Sequence, residues 1–113
     1  MVKTEISGDV TVCSFEDTNK LNALVSEQVK KEIGGIFDKS GAKVIIDMDN
    51  IAFIDSSGFS ALISILRKAR NNNGVLHLCN ISPEMMKLFN LLQLHNVFHI
   101  CPDRNDCIKG FGR

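Results

Sequence analysis

Two neighbouring serines between a carboxylate and a glycine are the residues of this sequence best suited to chemistry. They read Asp55, Ser56, Ser57 and Gly58, and they join an apolar segment at residues 51–54 to a helical pattern. In open α/β sheets, ligands and functional groups cluster where the carboxyl end of a strand passes into a helix. A serine in that position can cap the helix, accept a phosphoryl group or act as a nucleophile.

Capping and phosphorylation both follow from the geometry of a helix N-terminus. As a cap, Asp55 or Ser56 accepts a hydrogen bond from an unpaired backbone N–H, and Gly58 relieves the turn. As a phosphorylation site, a seryl phosphate lies at the positive end of the helix dipole. It adds about −1.5 to −2 charges at pH 7. Beside Asp55, this charge would repel a partner that fits the neutral hydroxyl. The spacing leaves both roles open.

A serine hydrolase is the enzymatic alternative, and the sequence argues against it. Such an enzyme needs a base beside the hydroxyl and an oxyanion hole. The chain has no G-x-S-x-G motif, and nothing in the pattern brings His77, His95 or His99 to Ser56. We therefore expect no catalytic residues and no enzyme activity.

The four cysteines predict free thiols. Cys13 and Cys79 lie in apolar runs typical of strands, where a thiol behaves as a small buried hydrophobe. Cys101 and Cys107 are separated by five residues, and no C-x-x-C pair is present. In a chain without a signal peptide, disulfides are not expected.

A metal site could be drawn from His95, His99, Cys101 and Cys107. Their spacing matches no zinc signature, so no metal is predicted. His77 alternates with strand residues, and we expect a satisfied or solvent-exposed imidazole there.

The apolar pattern predicts the elements that position the serines. Alternation around Ser7-Gly8-Asp9 indicates a β-hairpin, and the central, almost continuously apolar strand is at residues 44–48. Helical stripes begin at Leu21 and Phe59, and Ser82-Pro83 begins a third helix. The order β-β-α-β-α-β-α-β-α predicts an α/β fold with a mixed, mostly parallel sheet of four to five strands.

The apolar residues of these predicted helical stripes are Leu21, Leu24, Val25, Val29, Ile33, Ile36 and Phe37 in the first helix, Phe59, Leu62, Ile63, Leu66 and Ala69 in the second, and Met85, Met86, Phe89 and Leu92 in the third. Further strands are expected at residues 75–79 and 97–101, and a short helix after Pro102.

Composition limits the class of protein. The chain has 113 residues, 13 basic against 13 acidic side chains, zero formal net charge and 44% hydrophobic residues. The length suits one domain over residues 1–113, and the hydrophobic content with balanced charge argues against disorder. It supplies no basic field for nucleic acid, and no run approaches the roughly 20 apolar residues of a membrane span. We expect a cytoplasmic protein without membrane insertion.

The sequence resembles the STAS domain family, and especially bacterial anti-sigma factor antagonists. The match lies in VIIDM at residues 44–48, IAFIDSSGF at 51–59, LCNISP at 78–83 and MKLF at 86–89. The resemblance implies a single STAS domain that switches partners. The unphosphorylated antagonist binds an anti-sigma factor serine kinase and frees its sigma factor. Phosphorylation releases the kinase, and a serine phosphatase reverses it. No cofactor is implied, because ATP and Mg²⁺ belong to the kinase.

The resemblance also assigns residues. Ser56 is the implied phosphorylation site. The implied partner-binding residues are Asp17, Asp55, Ser56, Ser57, Gly58 and Phe59. Residues 14–17 keep only Asp17 of the family's Gly-Glu-Leu-Asp-like turn, and Phe59-Ser60 stands where Leu-Gly is common. The bulkier helix start would alter which kinase fits. An alternative role within the family is a scaffold subunit of a stress-signalling complex, or an accessory subunit of a membrane transporter.

Overall fold

A five-stranded mixed sheet and four α-helices make up the computed structural model, which describes residues 1–111. The strands are β1 (Val2–Ser7), β2 (Val10–Phe15), β3 (Lys20–Leu21), β4 (Lys43–Asp47), β5 (Phe53–Ile54), β6 (Val75–Cys79) and β7 (His99–Cys101). The helices are α1 (Ala23–Gly34), α2 (Ser56–Asn71), α3 (Pro83–Leu91) and α4 (Arg104–Phe111), with 3-10 turns at Gly35–Asp38 and Leu94–Asn96.

The main sheet has the order β1-β2-β4-β6-β7, with β1 antiparallel to β2 and all other neighbours parallel. The predicted α/β fold and element order are therefore confirmed. Beside it, β3 and β5 form a separate two-stranded parallel sheet. This small sheet was not predicted, since a two-residue strand carries no periodicity.

The central strand β4 is covered on both faces. Val44 and Ile46 point into the larger core with α1, α2 and α3, whereas Ile45 lies in a smaller core covered by α4. None of these three residues is exposed. The continuous apolar run is explained by this two-sided burial.

Helix α4 is also attached through polar groups. Its Arg104 donates from Nε and Nη2 to Asp47 Oδ2, at 3.1 and 2.9 Å. The other Asp47 oxygen accepts from Asn80 Nδ2 and from the backbone N–H of Asp49, both at 3.0 Å. The nearly buried Asp47 carboxylate is thus fully paired, as a buried charge requires.

Three element boundaries differ from the sequence-based expectation. Leu21 lies in β3, and α1 starts only at Ala23 because Asn22 caps it, accepting from Leu24 N at 3.1 Å. Leu24 is 91% exposed and so outside the apolar face of α1. Leu92 follows α3 and is 51% exposed, and the last strand begins at His99. The Ser82 cap and Pro83 start of α3 are confirmed.

The prediction of four free thiols is wrong for two of them. Cys101 and Cys107 form a disulfide, whereas Cys13 and Cys79 are free and buried. The chain turns at the end of β7 so that the first turns of α4 fold back on the sheet. This brings the two Cα atoms to 5.5 Å, within the range that a disulfide spans.

Candidate functional site

The junction between β5 and α2 is closed by a side-chain cap. Asp55 has extended backbone angles, and its Oδ1 accepts a hydrogen bond from Gly58 N at 3.0 Å. Its carbonyl oxygen accepts from Phe59 N at 3.0 Å, which starts the helix. The capping interpretation therefore holds for Asp55. Ser56, as the first residue of α2, is left with an exposed side chain.

The small sheet fixes this junction to the rest of the molecule. In its parallel register, Leu21 lies opposite Ile54, and the Asp55 N–H donates to the Leu21 carbonyl at 3.1 Å. Ala52 N donates to the Asn19 carbonyl at 2.8 Å. These contacts hold the segment before α1 beside the segment before α2. The first turns of α1 and α2 are consequently both positioned by the β3–β5 pairing.

Gly58 is required for close approach rather than for a special turn. It is buried within the first turn of α2. A Cβ atom built there would collide with the Leu21 carbonyl oxygen and lie 2.8 Å from both Ile54 Cγ2 and Leu21 Cβ. The expectation that Gly58 relieves the turn is therefore replaced by a packing reason. A side chain at this position would push α2 away from β3.

We expect Gly58→Ala to lower the free energy of unfolding by about 1–3 kcal/mol, because a methyl group must be forced into a filled space. Gly35→Ala is the matched control, since a Cβ there meets nothing within 4 Å and the backbone is helical. Urea titration of both variants measures the effect. Equal stability of Gly58→Ala and Gly35→Ala would contradict the close-packing account.

The other implied contact residues have different surroundings. Asp17 is exposed, with a left-handed backbone (φ 63°), in the segment that leads to Asn19. Ser57 is half-buried and lines a shallow groove of about 330 Å³ between α1 and α2. Phe59 is buried, with its ring edge-on to Phe89 at 5.2 Å between centroids. Phe59 is therefore a core residue that packs α2 against α3. A direct contact with a partner does not fit its buried position.

Two exposed apolar side chains lie next to the two segments that the small sheet holds together, and neither was predicted as a site residue. Phe53, 47% exposed, lies on β5 immediately before the cap, and Leu24, 91% exposed, lies in the first turn of α1. We call Asp17, Leu24, Phe53 and Ser56 the α2 entry surface. Exposed apolar side chains together with an exposed serine suit a protein partner better than a small substrate.

Within residues 1–111, no histidine forms a hydrogen bond with the Ser56 hydroxyl. His77 and His99 stack on each other under α4, and His95 belongs to the 3-10 turn after α3. A serine nucleophile needs a base beside its hydroxyl, and none of the described histidines supplies such a contact here. His77 is half-buried and its Nδ1 lacks a partner among the described residues, so the expectation of a satisfied or exposed ring is wrong.

Comparison with known proteins gives the family. A protein-family model described as "STAS domain" matches residues 2–107 of the sequence. The putative anti-sigma factor antagonist BtrV of Bordetella bronchiseptica is 24% identical over 107 residues, 95% of this chain and 90% of that protein. An anti-sigma-factor antagonist (STAS) domain protein from Planctomyces limnophilus superimposes with a TM-score of 0.90 at 20% identity, over 99% of this chain and 98% of the other.

A further solved structure resembles this fold. The Bacillus cell fate determinant SpoIIAA in its phosphorylated form superimposes with a TM-score of 0.72 at 22% identity, over 100% of both chains. Since the family model covers nearly the whole described chain, the resemblance noted in the sequence is confirmed: the chain belongs to the STAS domain family.

Proposed function

We propose that this protein is an anti-sigma factor antagonist whose partner binding is controlled by phosphorylation of Ser56. In its unphosphorylated form it binds an anti-sigma factor that is also an ATP-dependent serine kinase, so that the sigma factor is freed. Phosphorylation of Ser56 releases the kinase, and a serine phosphatase restores the binding form. The protein is not an enzyme, in keeping with its family. ATP and Mg²⁺ are held by the kinase.

The observation that carries the proposal is the exposed Ser56 hydroxyl at the first position of α2, held by a capped and sheet-braced junction. A kinase must reach the oxygen atom, and Ser56 is exposed whereas Ser57 is half-buried. Ser56 is therefore favoured over its neighbour. The two relatives compared above that are named as anti-sigma factor antagonists support the same choice of class.

The charge of a phosphate suits a switch that leaves the fold intact. No acidic residue lies in the first turn of α2, and the helix dipole favours negative charge there by about 0.3–1 kcal/mol. The phosphate adds about −1.5 to −2 charges next to Asp55. The helix can therefore accept the modification, while a partner packed on the α2 entry surface meets a new negative charge. Release then follows from repulsion at the interface and not from unfolding.

The proposed partners follow from the same surface. Leu24 and Phe53 supply apolar contacts for the kinase, and Asp17 a charged one at the rim. A balanced net charge gives no attraction to nucleic acid. Among residues 1–111, none of the helices is both long and apolar enough to cross a bilayer. A kinase that consumes ATP places the switch in the cytoplasm.

We expect Ser56→Ala to abolish phosphate uptake while it leaves kinase binding intact, because only the acceptor oxygen is removed. The protein is incubated with Mg²⁺-ATP and a lysate fraction that contains the kinase, and the phosphate is located by peptide mass spectrometry. Ser57→Ala is the matched control and should still accept one phosphate. Full stoichiometric uptake by Ser56→Ala would contradict the assignment and move the site to Ser57.

A further inference from the structure

A buried ring nitrogen without a partner lies on the opposite face of the sheet from the α2 entry surface. His77 of β6 is stacked between His99 (centroids 3.9 Å apart) and Phe111 of α4 (4.4 Å), with interplanar angles of 22° and 25°. Within residues 1–111 its Nδ1 has no hydrogen-bond partner. Such an orphaned polar atom is unfavourable, because burial removes its hydrogen bond to water. The stacking fixes the direction of the ring, so the free nitrogen is held in place.

Two sulfur atoms lie close to the imidazole ring of His77. Nδ1 or Nε2 of His77 and the Sγ atoms of Cys101 and Cys107 are all within 4.8 Å of one another. The β6–β7 register places His77 opposite His99 and Cys79 opposite Cys101, so the backbones of these residues are fixed by the sheet. Cys107 is brought to them by α4. One cluster therefore collects groups from three elements.

The three residues lie close enough together to reach one tetrahedral metal once the disulfide is reduced. Zinc binds thiolate sulfur at about 2.3 Å and imidazole nitrogen at about 2.0–2.1 Å, so its ligand atoms lie about 3.5–3.8 Å apart. Opening the S–S bond lets the two sulfurs separate to such a spacing. Thiolate and imidazole are the ligands that Zn²⁺ prefers in proteins. These three ligands differ from the candidate metal ligands considered in the sequence, which combined the same two cysteines with His95 and His99 and did not include His77.

Among the described residues, the cluster is formed by His77, Cys101 and Cys107, and the free thiol Cys79 is not part of it. A groove of about 290 Å³ beside Cys101 and Cys107, lined also by His99 and Asp106, gives access and room for a fourth ligand.

We propose that the dithiol form of this protein binds one thiophilic divalent cation, such as Zn²⁺, through Cys101, Cys107 and a ring nitrogen of His77. The disulfide is the alternative state of the same two residues, and it excludes the metal because bonded sulfurs offer no thiolate. The disulfide ties α4 to β7, and the metal would tie α4 to both β7 and β6. This site is independent of the function proposed for Ser56, since it uses the other face of the sheet.

Zinc titration of the reduced protein tests the proposal. A water-soluble phosphine and water convert the disulfide to two thiols and the phosphine oxide, and desalting without oxygen removes the reagent. Zn²⁺ is then titrated against a colorimetric chelator. We expect one Zn²⁺ per reduced chain and none per oxidised chain. Cys101→Ser and Cys107→Ser should lose this uptake. His77→Phe, which keeps the ring stack but removes the nitrogen, should weaken binding at least about tenfold.

His95→Phe is the matched control, since His95 is exposed and outside the cluster. It should bind Zn²⁺ like the wild type. Circular dichroism checks the fold of each variant. Should a variant be misfolded, Co²⁺ added to the reduced wild type decides, because two thiolate ligands give an intense sulfur-to-cobalt absorption. Absence of that absorption, no 1:1 zinc uptake, or undiminished uptake by folded Cys101→Ser would overturn the proposal.

Discussion

Ile46→Ala is expected to lower the free energy of unfolding by about 2–5 kcal/mol, which is the cost of a large-to-small change at a core site that cannot collapse. Ile46 lies in the centre of β4 and is completely buried. It is paired with Cys13 of β2 on one side and Leu78 of β6 on the other. Both neighbouring strands are fixed in the sheet, so the cavity left by the substitution persists.

Denaturant titration measures this loss, and Ile6→Ala is the matched control. Ile6 undergoes the same change on the edge strand β1, where its side chain is 72% exposed. Its substitution should alter the free energy of unfolding by no more than about 0.5 kcal/mol. A loss at Ile46 no larger than the loss at Ile6 would contradict the central position of β4.

Ser56→Asp is expected to weaken binding to the partner kinase at least about 100-fold while the fold is retained. A like charge placed in an interface costs several kcal/mol, and each 1.4 kcal/mol corresponds to about a factor of ten in affinity. The helix tolerates the same charge at the first position of α2, because the helix dipole favours negative charge at its N-terminus. Stability and binding should therefore separate in this variant.

Ser40→Asp is the matched control for charge. Ser40 is exposed and precedes β4, at the end of the sheet opposite the β5–α2 junction. Ser40→Asp should bind the kinase like the wild type in a pull-down. The thermal unfolding temperature should be nearly unchanged in both Ser40→Asp and Ser56→Asp. Retention of the kinase by folded Ser56→Asp would contradict control through this residue.

Local patterns account for most of the fold that could be predicted. The hairpin around Gly8, the buried run of β4 and the Ser82-Pro83 helix start depend on neighbouring residues, and each is present. The position of Ser56 at the start of α2 could be predicted for the same reason, because a strand, a cap and a helical stripe follow one another along the chain.

Features created by distant contacts could not be predicted in this way. The pairing of β3 with β5 involves two residues on each strand, too few for a pattern. The need for glycine at position 58 comes from the Leu21 carbonyl, which only this pairing brings close. The exposure of Leu24 and the Cys101–Cys107 bond likewise depend on where α1 and α4 come to lie.

ATP-driven release from the immobilised protein tests the central claim most directly. The kinase captured by wild-type protein is washed with Mg²⁺-ATP, with Mg²⁺ and a non-hydrolysable ATP analogue, or with buffer, and Ser56→Ala is treated in parallel. We predict that Mg²⁺-ATP elutes the kinase from the wild type as Ser56 becomes phosphorylated, and that the analogue does not. Ser56→Ala should keep the kinase throughout. Kinase that stays bound to fully phosphorylated wild type, or that elutes equally from Ser56→Ala, would contradict the phosphorylation switch.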